Sequence, residues 1–426
     1  MKTLLISQSD ISGGAARAAF RLHRAFLQYG IESRMKVRQK FSDDWTVETH
    51  SSTIFYKAAN LLRPTFGNMI SRFQNQSKME THSGNWLPSN WSAFINKSNA
   101  DVVHLHWIGA ETLSIEDIAR ITKPLVWTFH DMWPFCGTEH YAPDNLNARW
   151  RIGYDKAEML QTNRGFDLSK IVWNRKRKAW RNPFQIVAPS RWMSECAQNS
   201  ILFNQFSFTN ISNTLDTSVY RPLDRNFCRN TLRIPENLKI ILFGAVGGGQ
   251  DPRKGYDLLL QSLKHFCSLP NSQRPMLIIF GQSEPQFRPS MPLDISIKWM
   301  GKLHDDQALV LLYNAADVMI VPSRQDNLPQ TAIEAQACGC PIVAFNTCGF
   351  PDAVVHLKTG YLAKAFDTHE LAEGIRWILE NDNVRDELSR AARQRAVKLW
   401  SPDVVVPQYL AVYRKAIEEK SKRSSC

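Results

Sequence analysis

The chain has 426 residues, 22% of them charged and 43% hydrophobic, so it is too long for one compact domain and too apolar for wholesale disorder. Lys and Arg number 52 against 40 Asp and Glu, a net charge of +12, which leaves a nucleic acid, a membrane surface or an anionic substrate as the partner. Residues 1–222 carry 27 Lys and Arg against 18 Asp and Glu, a net of +9, and residues 223–426 carry the remaining +3, so an anionic partner is expected first in the N-terminal half.

In chain order, residues 3–7 (TLLIS) are a short apolar run ending at Gly13-Gly14. Ala16, Ala19, Phe20, His23, Phe26 and Leu27 then recur at helical spacing. Apolar runs at 101–107, 124–130 and 184–190 follow, each bounded by polar residues, as buried parallel strands are. A second series opens at 239–248 (KIILFGAVGG) and continues at 276–281, 295–301, 317–323, 341–345 and 359–363. Helical patterns lie at 255–268, 305–316, 329–338, 367–381 and 403–421. Two β/α series, each opening with a strand and a Gly-rich turn, predict an α/β fold of two facing Rossmann-like domains. The expected boundaries are 1–222 and 223–400, with 401–426 a C-terminal helix and tail crossing back to the first domain. No run of 18 apolar residues predicts a transmembrane helix, and the N-terminus lacks the apolar core of a signal peptide. Eight scattered cysteines without a CxxC pair fit a reducing cytoplasm; Cys338 and Cys340 read as small buried residues around a Gly turn rather than as metal ligands.

Five segments could carry chemistry. Gly13-Gly14 precede a helix and let backbone approach an anion, or serve turn geometry alone. Gly244 to Gly255 is a Gly-rich loop closing on Arg253-Lys254, suited to a pyrophosphate, or a loop with solvated charges. Asp326, in a loop after a strand, and Glu334, eight residues on and inside a helix begun by Pro329, suit sugar or ribose hydroxyls at the sheet edge where open α/β folds bind ligands; the plain alternative is a loop acid and a helix-face Glu. His130 and Asp131 end a strand, with Trp133 beyond them. His106 and Trp107 end another, while His104 reads as core. Residues 170–181 interleave cations with tryptophans, with Trp173, Lys176, Arg177 and Trp180 on one face. That face suits an anionic membrane surface, or is an ordinary solvated face, with nucleic acid well below both.

These residues, in this order, resemble the retaining glycosyltransferases of family 4, of the two-domain GT-B fold and the bacterial cell-surface polysaccharide type. The most specific part is 316–354, ADVMIVPSRQDNLPQTAIEAQACGCPIVAFNTCGFPDAV. It departs from the family pattern in having Asp326 where Glu is usual and Asn327-Leu328 where Phe-Gly is usual. The resemblance implies that Glu334 binds the ribose of a nucleotide sugar and that Asp326 holds the transferred sugar. It gives the amides of Leu328, Pro329, Gln330 and Thr331 an approach to sugar and phosphates as a segment. It implies that Lys254 neutralises the diphosphate, with Arg253 standing in for an arginine the family carries several residues earlier. Gly13 and Gly14 match the loop beside the donor phosphates, and Asn213–Asp216 the segment before the interdomain linker. His130 matches a histidine near the reacting sugar; with Asp326 and Lys254 it makes the catalytic set. His106, Trp107, Asp131 and Trp133 fall on the acceptor side.

The implied activity is transfer of a hexose-type sugar, with retention, from a nucleoside-diphosphate sugar to a glycan or lipid-linked acceptor in cell-surface polysaccharide biosynthesis. No metal and no cofactor beyond the donor are expected. A nucleic-acid partner is not expected; an anionic inner-membrane surface met through 170–181 is. The location implied is cytoplasmic, at the membrane face. A non-catalytic GT-B-like protein that binds nucleotide or glycan and assists a partner enzyme is the alternative.

Overall fold

The computed structural model describes residues 1–49, 62–67, 69–70, 81–155, 166–244, 247, 249, 251–268, 274–284, 295–303 and 305–424. Ala245, Val246, Gly248 and Gln250 of the Gly-rich loop, and part of the 141–169 loop, lie outside the described residues. The chain forms two compact units, Met1–Thr214 with Val405–Cys426, and Leu215–Val404.

The first unit is built on a parallel sheet of seven strands among the described residues: β1 (Lys2–Ser9), β2 (Glu32–Gln39), β3 (Val47–Thr49), β4 (Val102–Leu105), β5 (Leu125–Thr128), β6 (Gln185–Ala188) and β7 (Phe208–Asn210), in the order β3-β2-β1-β4-β5-β6-β7. The second has six: β8 (Ile240–Gly244), β9 (Met276–Phe280), β10 (Ser296–Trp299), β11 (Val318–Val321), β12 (Ile342–Phe345) and β13 (Gly360–Ala363), in the order β10-β9-β8-β11-β12-β13. Both orders reverse beside the first strand of the series, the doubly wound pattern in which ligands bind at the C-terminal strand ends. Central strands such as β4, β8 and β11 are buried along their whole length. They are apolar because parallel sheets are covered on both faces.

Three strands depart from expectation. β2, β3 and β7 carry no apolar run, and β2 (ESRMKVRQ) alternates charges with Ser33, Met35 and Val37, which are buried. Lys36 is nonetheless enclosed, 3.8 Å above the Phe94 ring and 3.6 Å from Glu48. An aliphatic stem with one ionic partner lets this charged sequence fill an inner position.

The boundary between units falls at Thr214–Leu215 rather than at Pro222. Leu215 and Tyr220 are buried in the second unit's core, where the Leu215 amide donates to the Trp400 carbonyl at 2.8 Å and the Tyr220 hydroxyl meets Asp306 at 2.8 Å. The last helix, Pro402–Ser424, belongs to the first unit from Val405 onward. Val405, Val406, Tyr409, Val412 and Tyr413 pack with Leu5, Phe26 and Val126. Among the described residues no helix is long and apolar enough to cross a membrane.

The basic stretch is a correction. It forms the helix Leu168–Ala179 with Trp180 behind it, and the face expected to meet a membrane is turned inward: Trp173, Lys176 and Trp180 are all buried. Lys176 Nζ donates to the carbonyls of Trp133 (2.5 Å), Gly137 (2.7 Å) and Cys136 (3.0 Å) and stands 3.8 Å from the Trp133 ring centroid. Three acceptors and an aromatic face satisfy all three N–H groups of the ammonium, so a cation can stay inside. Arg175 is likewise engaged, with Glu116 at 2.7 Å and the carbonyls of Gly84 and Asn85. Trp173, Lys176 and Trp180 therefore contact no lipid.

Candidate active site

In the second unit the site grows from the ends of β8 and β11. After β8 the chain makes a short turn, Pro252–Lys254, capped by the Asp251 side chain accepting from the Arg253 amide at 3.0 Å. Gly255 then has φ +68°, and a Cβ there would lie 2.0 Å from the Pro322 carbonyl oxygen. Only glycine allows that approach, which presses the Arg253-Lys254 turn against the segment after β11. Arg324 completes the junction: it grips Asp257 through two bonds of 2.8 and 2.6 Å, donates to the Pro252 carbonyl, and its amide donates to the Arg253 carbonyl at 2.8 Å. A Gly255→Ala variant is expected to lose about 2–4 kcal/mol of stability through left-handed strain and the clash with Pro322. Urea unfolding measures it, and a midpoint equal to wild type would show that the loop does not need this contact.

The outcome of this packing is an ion cluster. Lys254 Nζ donates to Asp326 Oδ2 at 2.6 Å, and Arg253 Nη1 lies 3.5 Å from the same oxygen while donating to the Gln325 carbonyl at 2.9 Å. Asp326 is buried. Burial alone would raise its pKa, but Lys254 and Arg253 outweigh burial and hold the carboxyl below the usual range. Burial likewise pulls the Lys254 pKa down, against Asp326. The adjacent Arg253 and Lys254 are thus brought to Asp326, which is distant in sequence.

Glu334 is not part of that cluster. It lies in the helix Gln330–Ala337, buried, and its Oε2 accepts from the Tyr313 hydroxyl at 2.6 Å. Pro329 stands one residue ahead of the helix as its N-cap rather than as the first helical residue. Asn327 and Leu328 are buried just before it. The helix N-terminus, with Gln330 and Thr331, brings a partial positive charge to the strand edge. Sequence reading passed over Tyr313, which lies outside the quoted motifs, and gave no role to Arg324, which lies inside 316–354; only the fold brings them to Glu334 and the Lys254 turn. Cys338 and Cys340 are buried around Gly339, whose φ is +79°, as expected.

In the first unit the C-terminal strand edge is also populated. Gly13 takes φ +97° and caps the helix Gly14–Gln28. Behind it, buried Asp10, unremarked in the sequence, accepts from the amides of Ile11 (2.9 Å), Phe41 (3.0 Å) and Ser42 (2.9 Å), and so ties the Gly13-Gly14 turn to the end of β2. After β4, His106 Nδ1 lies 3.0 Å from His130 Nε2, the rings stacked at 5.3 Å and 24°. His104 is core, as expected, held between Tyr413 and Thr128 at 2.6 and 2.7 Å.

Asp131 turns inward. It accepts from His140 at 2.5 Å, the Trp107 indole at 2.7 Å and the Trp133 amide at 3.0 Å, and His140 reaches Ser83 at 2.7 Å on its other side. Trp133 is buried, with its indole donating to the Ser83 carbonyl at 2.7 Å. Asp131 and Trp133, expected on the acceptor side, therefore brace the loop from within, while His130 and Trp107 keep partial exposure.

Burial lowers the His130 pKa to about 4 against the pull of Asp131, and lowers that of His106 well below its ordinary value. Both rings are neutral at pH 7. An unfolded histidine protonates near 6.5, so between pH 6.5 and 4 the unfolded state binds more protons and stability falls as pH falls. The urea midpoint is expected to drop from pH 7 to pH 5, and less steeply in a His106→Asn, His130→Asn double variant. An equal drop in both proteins would refute the assignment.

The two units thus share a doubly wound parallel sheet, with a Gly-capped helix at the first and a cation pair on a carboxylate at the second. Residues 224–395 match the family described as Glycosyl transferases group 1. A D-inositol 3-phosphate glycosyltransferase of Saccharomonospora viridis is 29% identical over 218 residues, 49% of this chain and 50% of that protein. A D-inositol 3-phosphate glycosyltransferase 1 of Catenulispora acidiphila is 31% identical over 216 residues, 48% of this chain and 50% of the other. The chain spans about half the length of the curated relatives it matches. Among solved structures, sucrose-phosphate synthase from Thermosynechococcus elongatus superposes with TM-score 0.66 at 17% identity over 98% of this chain and 100% of that one. Anabaena Alr3699/HepE, in complex with UDP-glucose, gives 0.61 at 16% over 99% and 100%. WaaG, a glycosyltransferase of lipopolysaccharide biosynthesis, gives 0.60 at 15% over 98% of each chain. At these identities the likeness is one of fold, the GT-B fold of two parallel-sheet α/β domains.

Proposed function

We propose that the protein is a retaining hexosyltransferase that moves a sugar from a nucleoside-diphosphate sugar to a glycan or lipid-linked acceptor in cell-surface polysaccharide biosynthesis. The observation that carries the reading is the Lys254–Asp326–Arg253 cluster at the C-terminal edge of β11. One carboxylate oxygen is shared by the two cations, and Arg253 also pairs with Asp251. When a diphosphate enters, Lys254 and Arg253 transfer to it and Asp326 is released to accept from sugar hydroxyls. Glu334, with Oε2 fixed by Tyr313, would take the ribose hydroxyls. Bond breaking leaves positive charge on the anomeric carbon and negative charge on the departing diphosphate. The two cations and the amides at the start of the 330–337 helix would stabilise that leaving group. They fill the charge role of a divalent ion, so the reaction is proposed to run without metal.

Neutral His130, which the resemblance assigns to the reacting sugar, would accept a hydrogen bond rather than repel developing positive charge. The backbone of Gly13-Gly14 would approach the donor phosphates, and His106 and Trp107 would serve the acceptor. HepE, crystallised with UDP-glucose, makes that the first donor to try. Relatives named for D-inositol 3-phosphate and WaaG, named for lipopolysaccharide biosynthesis, support a polyol or glycan acceptor. The proposed location is cytoplasmic, where such donors are made; the seven cysteines among the described residues form no disulfide.

Thermal melting with UDP-, GDP-, ADP- and CMP-sugars tests the reading. One class should raise the midpoint, because ligand at 100 times Kd adds about 2.7 kcal/mol, and Glu334→Ala should abolish that rise. No shift with any donor would end the proposal. A shift without nucleotide release, over a broad acceptor panel, would favour the non-catalytic binding-partner alternative.

A further inference from the structure

At the opposite edge of the first sheet from Gly13-Gly14, near the N-terminal ends of β1 and β2, lies a cavity of about 260 Å³. Side chains two positions apart on a strand share a face. Glu32, Arg34 and Lys36 therefore stand in a row on one face of β2, while Met35 packs into the core on the other. Phe94 of the helix Trp91–Lys97 covers the row, and Leu4 and Ala100 add apolar wall.

Charge along the row is paired except at its centre. Lys2 of β1 stands beside Glu32, 3.7 Å away, and Glu48 of β3 stands beside Lys36, 3.6 Å away. The neighbour of Arg34 on β1 is Leu4, and the exposed Arg34 guanidinium makes no ion pair or hydrogen bond. Lys36 is only 7% exposed, yet none of its N–H groups has a hydrogen-bond acceptor. Glu48 is beyond hydrogen-bond distance, and the other contact is the Phe94 ring, 3.8 Å from Nζ. Nor is Nζ sealed off, as the unpartnered Thr3 hydroxyl is. A buried ammonium in that state is costly unless an acceptor reaches it. Burial lowers the Lys36 pKa and the Arg34 charge acts in the same sense, so the two cations are close enough for one anion to serve both.

The lining selects the anion. Lys2, Arg34 and Lys36 face two carboxylates, Glu32 and Glu48, and the one charge left over calls for a monoanion. A phosphate monoester, near −2 at neutral pH, overshoots it. The guanidinium fork matches a carboxylate, and the apolar wall calls for hydrocarbon beside it. A volume below the ~300–1,000 Å³ of drug-sized pockets limits the ligand to a small acid. We propose that this cavity binds a small organic monocarboxylate, with its carboxylate between Arg34 and Lys36 and its hydrocarbon on Leu4, Phe94 and Ala100. The site shares no residue with the candidate active site, and its test uses no sugar donor.

Ligand-observed NMR titration of the full chain with acetate, propionate and butyrate, at constant ionic strength in chloride, tests this. Affinity should rise by about fourfold per added methylene, the gain from burying one CH₂ group. Arg34→Ala should weaken butyrate binding by about tenfold or more, the loss of a charged hydrogen bond. Because Arg34 is exposed and unpaired, that variant keeps the fold and decides the matter if Lys36→Met, which should weaken binding likewise, melts early. No binding of butyrate, or binding unchanged by Arg34→Ala, overturns the proposal. Inorganic phosphate or butylamine binding as tightly as butyrate overturns it too, since the cavity would then select neither a carboxylate nor its charge.

Discussion

Replacing Lys254 with alanine is expected to lower kcat with a nucleoside-diphosphate sugar by about 10²–10³-fold, the cost of losing one preorganised charge on a leaving group in a water-poor site. Lys254 is the nearer cation, 2.6 Å from Asp326 against 3.5 Å for Arg253. Arg253 is also tied to Asp251 at 3.1 Å and to the Gln325 carbonyl, so Arg253→Ala should cost less. The variant has a second signature. Lys254 is the largest influence holding the Asp326 carboxyl down against burial. Without it the folded pKa of Asp326 rises, and the acid limb of the residual activity should move to higher pH. Nucleotide release measured across pH reads both effects. A kcat within twofold of wild type, or a limb that stays in place, would remove Lys254 from the leaving-group role.

What sequence could foresee follows from whether a residue's partner is local. β8, β11 and β12 are legible because both sheet faces are covered, which leaves uninterrupted apolar runs. The helix Gln330–Ala337 is legible because Pro329 stands before it and Gly339 after it. β2 was missed because its charged residues find partners elsewhere, such as Phe94 and Glu48 for Lys36. The site shows the same division. Lys254, Asp326 and Glu334 lie in recognisable segments. Tyr313, which fixes Glu334, has no sequence signal because it acts from another helix, and His140 holds Asp131 from within the same loop, where no periodicity links the two. Asp131 and Trp133 stand beside a strand-end histidine and so looked like site residues, yet spacing cannot show which side chains fold back under the loop.

The basic stretch 170–181 yields the sharpest contrast between adjacent residues. Lys176→Ala is expected to destabilise the protein by about 3–5 kcal/mol, because it leaves the Trp133, Cys136 and Gly137 carbonyls without their donor and opens a void under the Trp133 ring. Arg177→Ala, one residue on, should change stability by no more than about 0.5 kcal/mol. Its side chain is 51% exposed and its ion pair with Asp155, at 3.1 Å, is half in water. If the stretch were a solvated or membrane-facing surface, both substitutions would be mild and both would weaken vesicle binding. Urea unfolding of the two variants separates these outcomes: equal midpoints would return Lys176 to the surface, and a large loss confined to Lys176→Ala fixes it as the internal ligand of three carbonyls. A Lys176→Met variant should fall between wild type and alanine, since the thioether chain refills the void but cannot donate to those oxygens.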